Sequence, residues 1–557
     1  MPRSKPFISA ESVAGQAIDV PARTKQVDSR SQQEIAVRHL GAIPLRVLSM
    51  RCFFYLVALV LLSCPIGASS IPAPEAWVPI RWTGGPLELA WRTHAKTLPG
   101  DASVRDAIAH WYEPATLSLL DDSPVNCLLV TWSAPADPSV EAEQHQLVKA
   151  YAEAAHKRGL VVLGLLYAAG DPSKIVADAN KASLDGLVLD GDFPPEFLTA
   201  LRKAAGSMLL VEIAKDAAAW RWKPAPIVAV DGVAPSGRNL SEMGIRGTPS
   251  SQPWIESNIW LVRSFALGQR PRSVWISSRL ESPRTVDYQR AIADAAAGGG
   301  RWILSLDDPL RTNLRARDAT ALETWNRILT YLKFAESHAR WSLTPYGNVG
   351  IVLDPANAAP DQADEYLKLA TRRQVSYQLI PRPELNVASL AKFRAIVATE
   401  LDPPSAIERN LLQDFAANGG VVFAGPSWGN VPQAGPSAEL PAGKGNVIVY
   451  KDPDPDAVAR DLKETLSDDD LGVVPFNVPS VITFASGGSA GKPLVVQLVN
   501  YFDHPVEAIT LRLAGTFHSA RLETPESTPL DLPIRNEQGR TEVTIPKLLL
   551  WGAVSMQ

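Results

Sequence analysis

From Trp77 to about residue 340 the chain alternates short apolar runs with longer amphipathic stretches. A continuous apolar run of four to eight residues between turn signals reads as a strand buried on both faces. Apolar positions three and four apart read as one face of a helix. This predicts strands over 125–132, 160–167, 187–192, 208–213, 227–231, 273–277 and 302–307, with 78–82 and 87–91 competing for the first. Helices are predicted over 140–157, 173–182, 197–205, 255–266, 286–297 and 319–337, and Gly159 closes the first of these as a C-terminal cap. Eight strands with intervening helices have the size and rhythm of a (β/α)8 barrel. The rival, an open doubly wound sheet, lacks a G-x-G-x-x-G after the first strand.

A second α/β rhythm begins after Pro345, with strands over 349–353, 375–380, 395–398, 421–424 and 446–450 and helices over 361–373, 405–418 and 457–466. It reads as flavodoxin-like. The turn after its first strand is Asp354-Pro355-Ala356-Asn357, which offers no glycine cradle for a phosphate, so no nucleotide is assigned. Gly425-Pro426-Ser427-Trp428-Gly429 fits G-x-S-x-G, but Pro432 and Pro436 follow where a nucleophile elbow requires a helix. The patches 401–404 and 432–441 read as loops. Beyond Val481 the alternation has period two, over 494–499, 509–513 and 543–545, with Gly, Pro and Asn turns between, as in a small antiparallel sandwich. The expected fold class is α/β: a barrel over 71–343, a flavodoxin-like domain over 344–470 and a β-sandwich over 471–557.

Ahead of the barrel, residues 53–62 form an uninterrupted apolar core behind Met50-Arg51. Ten residues are too few to span a bilayer but suit a signal peptide, and Ala68-Ser69-Ser70 supplies small residues for cleavage. Residues 1–70 therefore read as a leader and the protein as exported, periplasmic or extracellular. Met50 offers a second start; from Met1 the leader has a long polar n-region. Leu61-Leu62-Ser63-Cys64 also resembles a lipoprotein box, departing from it at Leu62 and Pro65. Membrane contact is expected only through the leader or a lipid on Cys64. Of the chain's 3 cysteines, Cys127 alone lies beyond the leader, which excludes an intrachain disulfide in the mature protein. A formal charge of -5 gives no basic footprint for nucleic acid. No H-E-x-x-H or Cys/His cluster appears, and neither a metal nor a cofactor is assigned.

Carboxylates recur where barrel strands end, the face on which such barrels carry their active sites. Asp190 and Asp192 follow the run Leu187-Val188-Leu189, Asp231 ends the sixth strand, and Asp307-Asp308 end the eighth. Glu212 lies inside Leu209-Leu210-Val211-Glu212-Ile213, where desolvation would raise its pKa as a general acid requires. The structural alternatives are a turn or helix cap for the aspartates and an internal ion pair for Glu212. Trp132, Tyr167, Phe193, Trp220, Trp222 and Trp254 fall near the same strand ends and could stack on sugar rings. These features together point to a carboxylate pair working on a carbohydrate.

The stretches Phe393-Arg394-Ala395-Ile396-Val397-Ala398, 407–415 and Asn418-Gly419-Gly420-Val421-Val422-Phe423 resemble the trimerisation domain of glycoside hydrolase family 42 β-galactosidases. Leu494-Val495-Val496-Gln497-Leu498-Val499-Asn500-Tyr501, with Pro546 and Trp551, is similar to their C-terminal β domain. The resemblance covers most of residues 75–557 as a domain order and leaves a homo-oligomer open. It implies a catalytic Glu after an Asn on strand 4 and a second Glu on strand 7. This chain departs from it there: strand 4 ends Asp190-Gly191-Asp192, strand 7 ends Ser277-Ser278-Arg279, and Glu281 lies further into the loop. An Asp on strand 4 with a Glu on strand 5 looks more like α-glucan-type barrels, including dextranase-like enzymes, in which they serve as nucleophile and acid. The expectation is a glycoside hydrolase with Asp190 and Glu212 catalytic, and Asp192, Asp231, Trp132, Tyr167 and Asp307 binding a carbohydrate substrate. The alternative is a non-catalytic carbohydrate-binding or assembly protein on a degenerate barrel.

Overall fold

Eight short parallel strands close on themselves: β1 (Pro79–Arg81), β2 (Cys127–Ser133), β3 (Val161–Leu166), β4 (Gly186–Leu189), β5 (Leu209–Ala214), β6 (Ile227–Asp231), β7 (Ser273–Ser277) and β8, in two pieces, Arg301–Trp302 and Leu304–Ser305. The first piece of β8 pairs with β7 and the second with β1, so the step at Ile303 completes the ring. The computed structural model describes residues 72–215, 221–222, 224–238, 254–265, 267, 272–339, 344–357, 360–429, 431, 435–476, 478–487 and 493–557. The expected leader, with Met50 and Cys64, and Trp220 lie outside the described residues. No helix among the described residues is long and apolar enough to cross a membrane.

Side chains alternate along each strand, so one set fills the barrel and the other meets the helices. Leu129, Leu163, Leu165, Val188, Val211, Ile213, Ala229 and Trp275 form the interior core. Val130, Trp132, Val162, Leu187 and Leu189 face outward and join the larger core beneath the helical layer. At outward-facing Gly164 a Cβ would stand 2.9 Å from Trp132, so the glycine makes room for the indole on that outer face.

The contest for the first strand resolves to β1, and residues 87–91 lie in the helix Gly85–His94. Gly85 has φ +82 and lies against the amide of Gln144, where a side chain would collide with it. Only glycine meets both demands cheaply. Pro86 then occupies the first turn, where its missing N–H costs nothing. Gln144 is fully buried; it donates to the carbonyls of Gly84 and Thr131 at 3.0 and 2.8 Å and accepts from the Leu87 N–H. This clamp fixes the helix start against β2.

The single helix expected over 255–266 is divided. Trp254–Glu256 pairs antiparallel with Ser236–Arg238, and the helix is Ile259–Phe265. Asp294, fully buried on the helix Thr285–Ala297, explains the break. It accepts from the Ser257 hydroxyl at 2.6 Å and from the backbone and side-chain amides of Asn258, both at 2.8 Å. Those bonds hold the chain before the helix begins.

The second sheet has the order Tyr377–Pro381, Val349–Leu353, Ala395–Val397, Val421–Ala424, Gly445–Tyr450, all parallel, and ends in Ser437–Ala442. That last strand corrects the loop expected over 432–441: it runs antiparallel at the sheet edge, where prolines and polar side chains are tolerated. Ser427 lies in a 3-10 turn, Pro426–Trp428, that ends in extended Gly429, and among the described residues no helix directly follows it. The C-terminal sandwich packs a four-stranded on a five-stranded antiparallel sheet. The α/β fold class, a barrel followed by an α/β domain and a β domain, is the one observed.

Polar contacts tie these layers together. Tyr501, from the sandwich, donates to Asp294 at 2.5 Å within the barrel's outer layer. The Arg263 guanidinium lies 3.9 Å over Tyr377 and 4.5 Å over Phe484, joining barrel, second domain and sandwich. Replacing Tyr501 with Phe should cost about 1.5–3 kcal/mol, the worth of a buried hydrogen bond to a carboxylate. Chemical denaturation should show a lower midpoint at unchanged slope; an unmoved midpoint would count against this lock.

Candidate functional site

The inward register of the strands delivers a set of polar side chains to the C-terminal mouth of the barrel. Arg81 ends β1, Asp190 follows β4, Asp231 ends β6, Ser277 ends β7 and Tyr167 follows β3. Arg81 is nearly buried and pairs with Asp190 through Nη1, while its Nη2 donates to the Ser277 hydroxyl at 2.9 Å. One guanidinium thus spans from the first strand to the fourth and seventh.

Asp231 differs from Asp190. It is exposed at the mouth and has no ion pair or hydrogen bond of its side chain among the described residues. Partial burial of the carboxyl, then the negative charge of Asp190, raise its pKa against the opposing pull of Arg81 and Lys215. Asp190 thus has a guanidinium against its side chain, while the Asp231 carboxyl is raised by burial and by the Asp190 charge.

Beside them lies a cavity of about 360 Å³, within the range of small-ligand sites. Its walls include Glu88, Trp91, Tyr167, Arg279, Asp307 and Arg311. Trp91 stacks on Tyr167 with ring centroids 4.0 Å apart and planes 16° off parallel. Glu88, held by the Gln144-clamped helix, is 4% exposed and accepts from the Thr131 hydroxyl at 2.8 Å. Burial raises its pKa, against the pull of Thr131, Arg311, Arg92 and Arg279. Asp307 is also raised, chiefly by burial, although Tyr288 donates to it at 2.9 Å. Asp308 goes the other way. Burial would raise it, but Arg92 grips it with two bonds, at 3.0 and 2.6 Å, and Arg311 adds a third at 2.7 Å, so its pKa is lowered.

The structure brings Asp190, Asp231, Tyr167 and Asp307 to this mouth. Asp192 reaches only its rim, 85% exposed and paired with Lys215 at 2.6 Å, and it caps no helix. Glu212 is not brought there. It alternates with the inward Val211 and Ile213 and so points to the helical layer, where Arg202 of the helix Pro195–Ala205 donates to it at 3.1 Å. The expected Asp190–Glu212 pair is corrected on that ground. Trp132 is likewise outward, fully buried and stacked on His145 at 3.7 Å. Phe193 stacks on Phe197 at 5.3 Å, Trp254 lies under Arg372 at 3.5 Å, and Trp222 packs on the second domain's core. Among the described residues no group of three or more His, Cys, Asp or Glu could hold a metal ion.

Glu88 and Trp91 were missed as site residues because 87–91 also reads as a strand. The signal that could have found them is Gly84-Gly85-Pro86, a turn followed by proline in a helix's first turn.

No family model matches the chain, and no curated protein matches it. Among solved structures it is similar to α-L-fucosidase isoenzyme 2 from Paenibacillus thiaminolyticus, at a TM-score of 0.51 and 10% identity over 80% of this chain and 95% of that one. It is also similar to a catalytic mutant of a GH42 β-galactosidase from G. stearothermophilus, at 0.50 and 9% over 86% and 98%. At such identities the likeness establishes a glycoside hydrolase-like fold alone.

The lowered pKa of Asp308 makes a stability prediction. A carboxylate with a depressed folded pKa contributes stability above its unfolded value, near pH 4, and loses it as pH falls through the folded value. Wild type should therefore lose stability more steeply than Asp308→Asn below about pH 4. Equal slopes in acid titrations of the unfolding midpoint would contradict the Arg92–Asp308–Arg311 arrangement.

Proposed function

We propose that the barrel mouth binds and hydrolyses a glycoside, with Asp190 as nucleophile or general base and Asp231 as general acid. The observation that carries this reading is the asymmetry of the pair. Both leave their strands inward into one mouth, and only Asp190 has a cation. Glycosidic cleavage needs that division: a neutral carboxyl protonates the leaving oxygen, and an ionised one attacks the anomeric carbon or activates water. Trp91, supported by Tyr167, offers an apolar face for the C–H side of a sugar ring, and Glu88 and Asp307 offer partners for hydroxyls. The proposal extends to an exported protein carrying the leader of residues 1–70. It also takes the domain order to be that of family 42 enzymes, with the second domain in a structural or subunit-contact role.

A second reading, a carbohydrate-binding barrel without turnover, has its own observation. Asp190 is engaged by Arg81, and Asp308 by Arg92 and Arg311, as in a structural ion-pair network.

A screen against chromogenic glycosides and polysaccharides separates the two. On any substrate cleaved, Asp190→Asn and Asp231→Asn should each lower kcat by about 10²–10⁴-fold. Turnover should also fall as pH rises through the elevated pKa of Asp231, since the acid must hold its proton. Glycan binding without turnover, unchanged in both variants, would favour the second reading and overturn the first.

A further inference from the structure

Arg279, just past β7, is shared by two cavities. It lines the 360 Å³ cavity with Trp91 and Glu88, and a second of about 600 Å³ that runs to the sandwich residues Phe502, Asp503 and His504. The other arginines lining the first cavity, and Lys215 at the rim, have partners. Arg81 pairs with Asp190, Arg92 and Arg311 with Asp308, and Lys215 with Asp192. In the second cavity Arg284 and Arg290 are both held by Asp287 and Asp503. Arg279 is exposed and has no ion pair or hydrogen bond of its side chain among the described residues. Glu281, the nearest acid along the chain, lines only the second cavity and does not pair with it.

The field around Arg279 points the same way. Its charge acts on Glu88 and on Tyr167, so the guanidinium stands over the first cavity. Asp308 is matched by two arginines, and burial biases Glu88 and Asp307 toward their neutral forms. The wall of this cavity carries four arginines, Arg81, Arg92, Arg279 and Arg311, against three acids, Glu88, Asp307 and Asp308, and an arginine's planar fork suits two oxygens of one anion.

We propose that the mouth takes a sugar bearing an acidic group, a carboxylate or a sulfate ester, and that Arg279 is the residue that selects it. This rests on the glycan-binding reading of the mouth and adds the class of sugar. The bridging position of Arg279 places the acidic sugar where the two cavities meet, with room on the sandwich side for a further unit of the chain.

Calorimetric titration of the full chain with three matched oligosaccharides tests this: a neutral one, its uronate counterpart and its sulfated counterpart. One or both anionic sugars should bind about tenfold or more tightly than the neutral one, the scale of a charge-assisted hydrogen bond. Which of the two does so identifies the acidic group. In Arg279→Met that ratio should fall to about one, and Arg279→Lys should restore only part of it. Added salt should reduce the wild-type ratio. An anionic preference that survives in Arg279→Met overturns the role of Arg279, and equal affinities in wild type overturn the anionic class while leaving the glycan reading intact. Binding of none of the three overturns this inference, and only a glycan found by the wider screen would then preserve the glycan reading.

Discussion

Arg81 is the constraint on which the mouth depends. Its side chain is 7% exposed and reaches Asp190 on one side and Ser277 on another. A guanidinium so far from water is tolerated only where its hydrogen bonds are satisfied, and losing one partner of such a pair costs about 3–5 kcal/mol. The contact therefore fixes the ends of β1, β4 and β7 relative to one another. Asp231, on β6, makes no ion pair among the described residues, and burial and the charge of Asp190 raise its pKa.

The cavity beside this pair is built by a different device. The glycine pair and proline at 84–86, held by buried Gln144, start a helix directly behind β1 and carry Glu88 and Trp91 to the mouth. At the end of β8, burial raises the Asp307 carboxyl against the Tyr288 hydrogen bond, while Arg92 and Arg311 hold its neighbour Asp308 lowered. Rigid strand ends and a clamped helix thus present carboxyls shifted in opposite directions within one opening. That arrangement suits a reaction needing a proton donor and an anion together.

Much of this was legible in the sequence. The eight barrel strands and five strands of the second sheet stand where continuous apolar runs predicted them, because a strand buried on both faces can hold little else. The same property hid the facing of Glu212. In an apolar run neither parity is marked, and a shift of one residue turns every side chain to the other face. Asp190 and Asp231 escape that ambiguity because they lie where the runs stop. Trp132 was misread for the Glu212 reason: its place on the outer face depends on space left by Gly164, a tertiary fact. Glu88 was hidden because Leu87-Glu88-Leu89-Ala90-Trp91 alternates like a strand; the Gly84-Gly85-Pro86 turn marks the helix start locally, and the Gln144 clamp from 57 residues along the chain holds it.

The central claim is that a sugar is held between Asp190 and Asp231. A crystal structure of Asp190→Asn bound to a glycan found by the screen tests it most directly. The account predicts the ring against Trp91 and the glycosidic oxygen about 2.6–3.2 Å from the Asp231 carboxyl. A glycan seated away from the mouth, or one whose glycosidic oxygen meets neither carboxyl, would contradict it.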